Sequence, residues 1–479
     1  MIIENFKKTK ILATLGPASR DYDTLVDLIK AGVNVFRLNF SHGDHKVHGE
    51  TIQSILKIRE EYGINVGILC DLQGPKLRVG KMEGEGAPLK AGEIITFTNE
   101  ECLGTSKKAY MSYKNFPNDV QIGEKVLVDD GKLEFEAVAS RPEKGEVDLK
   151  VLFGGVLKSN KGVNLPSTNI SLPSLTEKDR EDLEYILTQP ANWIALSFVR
   201  AEKDIHDLRA RIEAKGHKGK IIAKIEKPEA VAPGEMEAII RASDAIMVAR
   251  GDLGIEVPME QLPVIQKKLT KLCIEHSKPV VVATQMMDSM ITNPSPTRAE
   301  ITDVANAVMD GADAVMLSGE TSVGDHPILV VESMSKIIRE AEKQPSLFNK
   351  DLNVQEDSQN KLSDAICISA AKLAKELDAD AILGMTASGY TAFTLTSCRP
   401  SADVFMFSDD KDMLSTLELV WGVRGFYYDK FESTDVTIED VQKILKEKGL
   451  VKEGDIVVNT ASTPILERHR TNMLKVSRI

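Results

Sequence analysis

Several short segments of this sequence end an apolar run with side chains that could do chemistry. Lys224-Ile-Glu226 sets an ammonium and a carboxylate two residues apart, so in an extended strand both project to one side. Arg250-Gly-Asp252 brings a second carboxylate, flanked by Gly251 and Gly254, whose small size lets backbone N–H groups approach an anion at a helix start. Arg37, Asn39, Ser41 and His42 close one further run, Asp71 another, and Thr284-Gln285 and Ser318-Gly-Glu320 two more. Glu226 and Asp252 together suit one hard cation, because Mg²⁺ commonly takes one or two protein carboxylates and leaves its other positions to water and phosphate oxygens. Arg37 can offer a planar fork of donors to a phosphate. A divalent metal, a lysine and an arginine about one point suit transfer of a phosphoryl group, in which positioning and charge neutralisation dominate.

Other chemistries lack their residues. The sequence contains no GxxxxGK[ST], HExxH or GxSxG. Its five cysteines are scattered without a CxxC, which argues against a disulfide frame or a zinc site of the usual spacing. The eight histidines are dispersed, and His276 falls in a helical pattern where a structural role is expected. A balance of 60 basic against 72 acidic side chains, net −12, argues against nucleic-acid binding, although a local cationic cluster could still hold phosphate. Met1 to Lys8 includes no apolar stretch of signal-peptide length, so the Asn39-Phe-Ser41 and Asn169-Ile-Ser171 sequons are discounted. The longest uncharged run of note, Ala381 to Cys398, holds six Ser or Thr and is too polar to span a membrane. The expectation is a soluble cytoplasmic protein with no membrane partner.

These side chains need a frame that gathers strand ends. Eight β-rich apolar runs begin at Lys10, Val35, Val66, Trp193, Ile221, Ala245, Val280 and Ala314. Each is followed by a helical pattern, such as 22–30, 47–62, 202–215 or 299–309. Eight strands alternating with helices imply parallel pairing and a closed (β/α)₈ TIM barrel of the α/β class, whose function sits at the carboxyl ends of its strands. Between the third and fourth units, residues 73–169 lose the helical period and read as a β-rich lid. The barrel is then 1–72 and 170–345, 248 residues in all, against a typical size of about 250. After a polar linker, 346–479 alternates helix and strand and reads as an open α/β regulatory domain.

Lys10-Ile-Leu-Ala-Thr-Leu-Gly-Pro17, Phe36-Arg-Leu-Asn-Phe-Ser-His-Gly43, Asp71-Leu-Gln-Gly-Pro75 and Ile222-Ala-Lys-Ile-Glu226 strongly resemble the pyruvate kinase family. So do Met247-Val-Ala-Arg-Gly-Asp-Leu-Gly254, Ala283-Thr-Gln-Met286, Pro296-Thr-Arg-Ala-Glu300, Asp303-Val-Ala-Asn-Ala307 and Leu317-Ser-Gly-Glu-Thr321, in family order along the barrel. The resemblance implies transfer of the phosphoryl group of phosphoenolpyruvate to ADP, giving pyruvate and ATP in glycolysis. It implies Glu226 and Asp252 as ligands of Mg²⁺ or Mn²⁺, Lys224 as the lysine that neutralises the group in flight, and Arg37 as its phosphate-binding arginine. Asn39, Gly251 and Asp252 join the substrate and nucleotide contacts, with Arg78 on the ADP side. Thr284 resembles a substrate contact and, with Ser318 and Glu320, part of a proton relay; the direct donor to enolpyruvate is left open. The family also forms homotetramers.

Two departures from the family pattern stand out. Many members carry glutamate at the position of Lys76 and require K⁺ near Asn39, Ser41, Asp71 and the carbonyl of Leu72. A lysine there suggests that a fixed ammonium takes the ion's role and that K⁺ is not required; a Lys76 that merely points to solvent stays open. In the C-terminal part, Thr386-Ala-Ser-Gly-Tyr-Thr391 resembles the family's effector loop, with Thr386, Ser388, Gly389 and Thr391 suited to the phosphate of a sugar phosphate or AMP. Tyr390 stands where many relatives have arginine, so a vestigial loop stays open. Two other functions stay open as well: a metal-dependent lyase acting on phosphoenolpyruvate or pyruvate, and a non-catalytic relative that binds metabolites as a regulator.

Overall fold

The computed structural model describes residues 6–467 and 470–479. Eight parallel strands close into a barrel in strict sequence order: Lys10–Thr14, Val35–Asn39, Gly67–Asp71, Trp193–Leu196, Lys220–Ile225, Ala245–Ala249, Val280–Ala283 and Ala314–Leu317. The expected barrel is therefore observed. Its strands are apolar on both faces because helices cover the outside while side chains fill the inside. The interior set includes Leu12, Val35, Leu69, Trp193, Ile222, Met247, Val281 and Met316, all buried.

Helix starts follow local capping chemistry. Thr297 and Glu300 form a capping box ahead of Arg298–Asp310, and Thr176 and Asp179 do the same for Glu177–Ile186. The other carboxylate oxygen of Asp179 accepts the Gly74 N–H at 3.0 Å, tying that helix to the start of the segment that leaves the barrel. That segment folds into a six-stranded sheet and a two-stranded sheet around its own apolar core, which includes Phe97, Phe135 and Leu149.

The C-terminal part has a five-stranded sheet whose last strand, Met473–Arg478, runs antiparallel to Ile456–Ala461. It packs against the amino ends of the barrel strands. Lys10 Nζ donates to the Val423 carbonyl at 2.8 Å, Trp193 Nε1 donates to the Thr416 carbonyl at 3.1 Å, and Leu419 joins the interior apolar set. Asp313 is a buried junction there: it pairs with Arg399 at 2.9 Å and accepts the Val280 and Trp421 N–H groups. Gly67 begins the third strand against this surface. A Cβ there would lie 2.9 Å from a Val35 methyl and 3.1 Å from the Ser415 carbonyl oxygen, so only glycine fits without displacement. One end of the barrel is thus covered, and the other is left to the reactive side chains.

Candidate active site

At the carboxyl ends of strands two to six, a cluster of charges forms with Lys224 at its centre. Its Nζ lies 2.9 Å from Glu226 Oε1 and 3.4 Å from Asp71 Oδ1, and donates to Ser197 Oγ at 2.7 Å. Burial works against the ammonium's charge, but Asp71 and Glu226 outweigh it and raise its pKa to about 12. Lys224 is thus held between two carboxylates that favour its charged form. Burial opposes the charge of Asp71 too, yet Lys224 and Arg37 hold its carboxyl below the usual range.

Arg37 reaches Asp71 Oδ2 with both Nε and Nη2 at 2.7 Å, and its Nη1 donates to Thr14 Oγ1 at 2.9 Å. Its fork is thus oriented by Asp71, a residue that the sequence suggests only for a monovalent-cation site. Asn39 and Asp71 are register partners on adjacent strands, and Asn39 Oδ1 accepts the Ser41 N–H. The Leu72 carbonyl accepts the Ser197 hydroxyl at 2.7 Å. Lys76 is exposed, while Arg78 is half-buried with Nη1 on the Asn160 carbonyl at 3.0 Å. Burial lowers the pKa of His42, and Arg78, Lys76 and Arg37 lower it further, so all three cations act on one imidazole.

Glu226 is almost wholly buried, and its Oε2 accepts the Phe198 N–H at 2.7 Å. Burial raises its pKa; the nearby Asp252 adds to the rise while Lys224 opposes it. Two carboxyl groups that raise each other's cost of ionisation, with Asp252 lining a cleft, form a donor set that a hard dication relieves. The residues fit Mg²⁺ or Mn²⁺.

The helix Arg250–Glu256 carries Asp252. The Gly251 N–H donates to Thr284 Oγ1 at 2.7 Å, and that hydroxyl donates to the Ala283 carbonyl. A Cβ on Gly251 would sit 3.3 Å from the same oxygen, so the two segments approach closely here. Thr284, Gln285 and Phe198 have φ of 68°, 54° and 54°, a left-handed backbone that non-glycine residues adopt at a cost of order 1–3 kcal/mol. Glu320 is buried, its carboxylate accepting the Ser318 and Met287 N–H groups, and burial raises its pKa. Ser318 meets Glu320 through its backbone.

In the C-terminal part, the Thr386 hydroxyl accepts the Gly389 N–H, Ser388 is exposed and Thr391 bonds Thr471. The Tyr390 hydroxyl is taken by Asp364. Sequence reasoning misses Thr14 and Ser197, the hydroxyls that orient Arg37 and Lys224. A signal for both exists, since each ends an apolar strand run with a hydroxyl.

The barrel-domain model of pyruvate kinase matches residues 6–331 and its alpha/beta-domain model matches 364–477. The chain belongs to the pyruvate kinase family. It is 44% identical to a pyruvate kinase of Geobacillus stearothermophilus over 475 residues, covering 98% of this chain and 80% of that protein. A pyruvate kinase of Corynebacterium efficiens is 42% identical, over 98% of this chain and 97% of its own length. The crystal structure of a pyruvate kinase from Cryptosporidium parvum superposes with a TM-score of 0.91 at 35% identity, over 98% and 96% of the two chains. Members of the pyruvate kinase family are phosphotransferases of glycolysis, generally dependent on Mg²⁺, and this site has the charges such chemistry needs.

Proposed function

We propose that the cluster about Lys224 transfers the phosphoryl group of phosphoenolpyruvate to ADP. The observation that carries this reading is the Lys224 ammonium between Glu226 and Asp71, with the Arg37 fork on the same Asp71. Glu226 and Asp252 would hold the divalent cation, Mg²⁺ or Mn²⁺, which supplies charge neutralisation for phosphoryl oxygens. Arg37 and Lys224 bind the phosphoryl group from the strand floor, and Lys224 follows it as the enol P–O bond breaks and the bond to the ADP oxygen forms. Asn39 and Gly251 line the substrate side, and Arg78 meets ADP from the lid. The enolate then takes a proton at carbon, with Thr284, Ser318 and Glu320 forming the relay that renews it.

A coupled assay with phosphoenolpyruvate and ADP, following pyruvate, tests the reaction. Lys224→Met is expected to lower kcat by about 100-fold or more, the scale on which a preorganised charge acts in a closed site. Phosphoenolpyruvate binding that depends on Mg²⁺ should persist in large part through Arg37 and the cation, and unchanged turnover would refute the role.

Lys76 is the fixed ammonium in place of K⁺ near Asn39, Ser41, Asp71 and Leu72. What supports this is the place of Lys76, five residues after Asp71 and lining the same cleft as Asp252. Turnover in Tris buffer free of K⁺, Na⁺ and NH₄⁺ should match turnover with KCl; about a hundredfold rescue by KCl, some 2.7 kcal/mol, would sink the idea. The loop Thr386, Ser388, Gly389 and Thr391 takes the phosphate of a sugar phosphate or AMP; the exposed Ser388 and the Arg470 guanidinium, 6.0 Å from the Tyr390 ring centre, support that. The enzyme works as a cytoplasmic homotetramer with the barrel at 1–72 and 170–345, the lid at 73–169 and the regulatory domain at 346–479. No described helix is long and apolar enough to cross a membrane.

A further inference from the structure

Beside the charges already described lies a second buried ion pair that the reaction does not call on. Lys227 Nζ donates to Glu256 Oε2 at 2.8 Å, and the two side chains are only 3% and 2% exposed. Glu256 Oε1 accepts the amide of Asn164 at 2.9 Å. One carboxylate therefore joins three segments. Lys227 is the residue after Glu226; Glu256 ends the helix that carries Asp252; and Asn164 belongs to the two-residue strand Val163–Asn164, paired with Lys125–Val128 in the six-stranded sheet.

The arithmetic of the backbone makes this pair a spacer. Glu226 and Lys227 share one peptide unit, and Asp252 and Glu256 stand four apart, on one face of a helix. Neither charge can be left alone at such burial, so wherever Glu256 goes Lys227 must follow. The pair thus fixes the loop bearing one carboxylate against the helix bearing the other. Asn164 makes that joint also depend on the inserted sheet being seated. All three line the same cleft as Asp252 and Lys76.

We propose that Lys227, Glu256 and Asn164 are positioning residues: together they set the spacing of Glu226 and Asp252 and couple it to docking of the lid. The proposal rests on the reading of Glu226 and Asp252 as the divalent-cation ligands. A buried ion pair can be exchanged for apolar side chains of similar volume without loss of fold. The double variant Lys227→Met/Glu256→Met is therefore the primary test, with thermal unfolding as a check of the fold.

Mn²⁺ titrated into the substrate-free protein and followed by electron paramagnetic resonance reads the site directly. The double variant should bind Mn²⁺ about 10- to 100-fold more weakly, the usual effect of losing a partner that orients a metal ligand. Its kcat should recover as Mg²⁺ is raised, which a general loss of structure would not allow. Lys227→Arg, which keeps a cation on Glu256, should retain near wild-type affinity, and Asn164→Ala should weaken it while speeding proteolysis of the 73–169 segment. A folded double variant with wild-type Mn²⁺ affinity overturns the proposal. Wild-type Mn²⁺ affinity in Glu226→Gln and Asp252→Asn would instead overturn the ligand assignment, so the two failures are separable.

Discussion

His42 is a reporter that the molecule supplies for itself. Its imidazole is pressed toward neutrality by burial and by Arg78, Lys76 and Arg37. Removing one of those charges should let it protonate more easily. In Lys76→Ala the His42 pKa is expected to rise toward the ordinary histidine value, read by NMR titration of the ring Cε1–H with His42→Gln for assignment. An unmoved pKa would mean that the Lys76 charge does not act at this end of the barrel. The types Lys224, Glu226, Asp252 and Arg37 are legible in the sequence because burial forbids such residues without partners. The partner of each is not. That Arg37 grips Asp71, and that Lys227 grips Glu256, depends on strand register and helix rotation, which a linear pattern does not encode.

At the scale of elements, the eight barrel strands are readable because a strand covered on both faces is a continuous apolar run. The strand Leu133–Arg141 escapes such reading. Its residues alternate buried and half-buried, with Glu134 and Glu136 on the open side, so it carries no such run. The edge strand Met473–Arg478 has no buried residue and gives as faint a signal. Among the helices, Glu177–Ile186 starts with the Thr176–Asp179 box, and Asp179 also holds the Gly74 N–H. Losing Asp179's half of that box, with Thr176 still capping the helix, costs up to about 1 kcal/mol, and a buried N–H left unpaired about 1–3 kcal/mol more. Asp179→Ala should accordingly speed amide exchange at Gly74 by about 10-fold or more while amides of the interior barrel strands keep their protection. Equal acceleration in both places would show that Asp179 acts on the barrel as a whole and not on the lid's root.

For the whole molecule, the junction at Asp313 is the place to test. It is nearly fully buried and satisfies Arg399 together with the Val280 and Trp421 N–H groups. Asp313→Ala strands a buried guanidinium and is expected to cost about 3–5 kcal/mol, seen as a lower urea midpoint. Asp313→Ala/Arg399→Met should recover part of that loss, since the orphaned charge is gone. If the double variant is no more stable than the single one, the backbone N–H groups and not the ion pair dominate the junction.

The third barrel strand connects these scales. It starts at Gly67, tight against the Ser415 carbonyl of the C-terminal part, and ends at Asp71, the anion shared by Arg37 and Lys224. Four residue steps at about 3.3 Å make it roughly 13 Å long. Its two neighbours, Val35–Asn39 and Trp193–Leu196, are buried at every residue but Asn39, so the strand is enclosed along its sides. The C-terminal sheet and the reactive cluster therefore stand at the two ends of one five-residue strand, and the Ser415 carbonyl and the Asp71 carboxylate are contacts of its first and last residues.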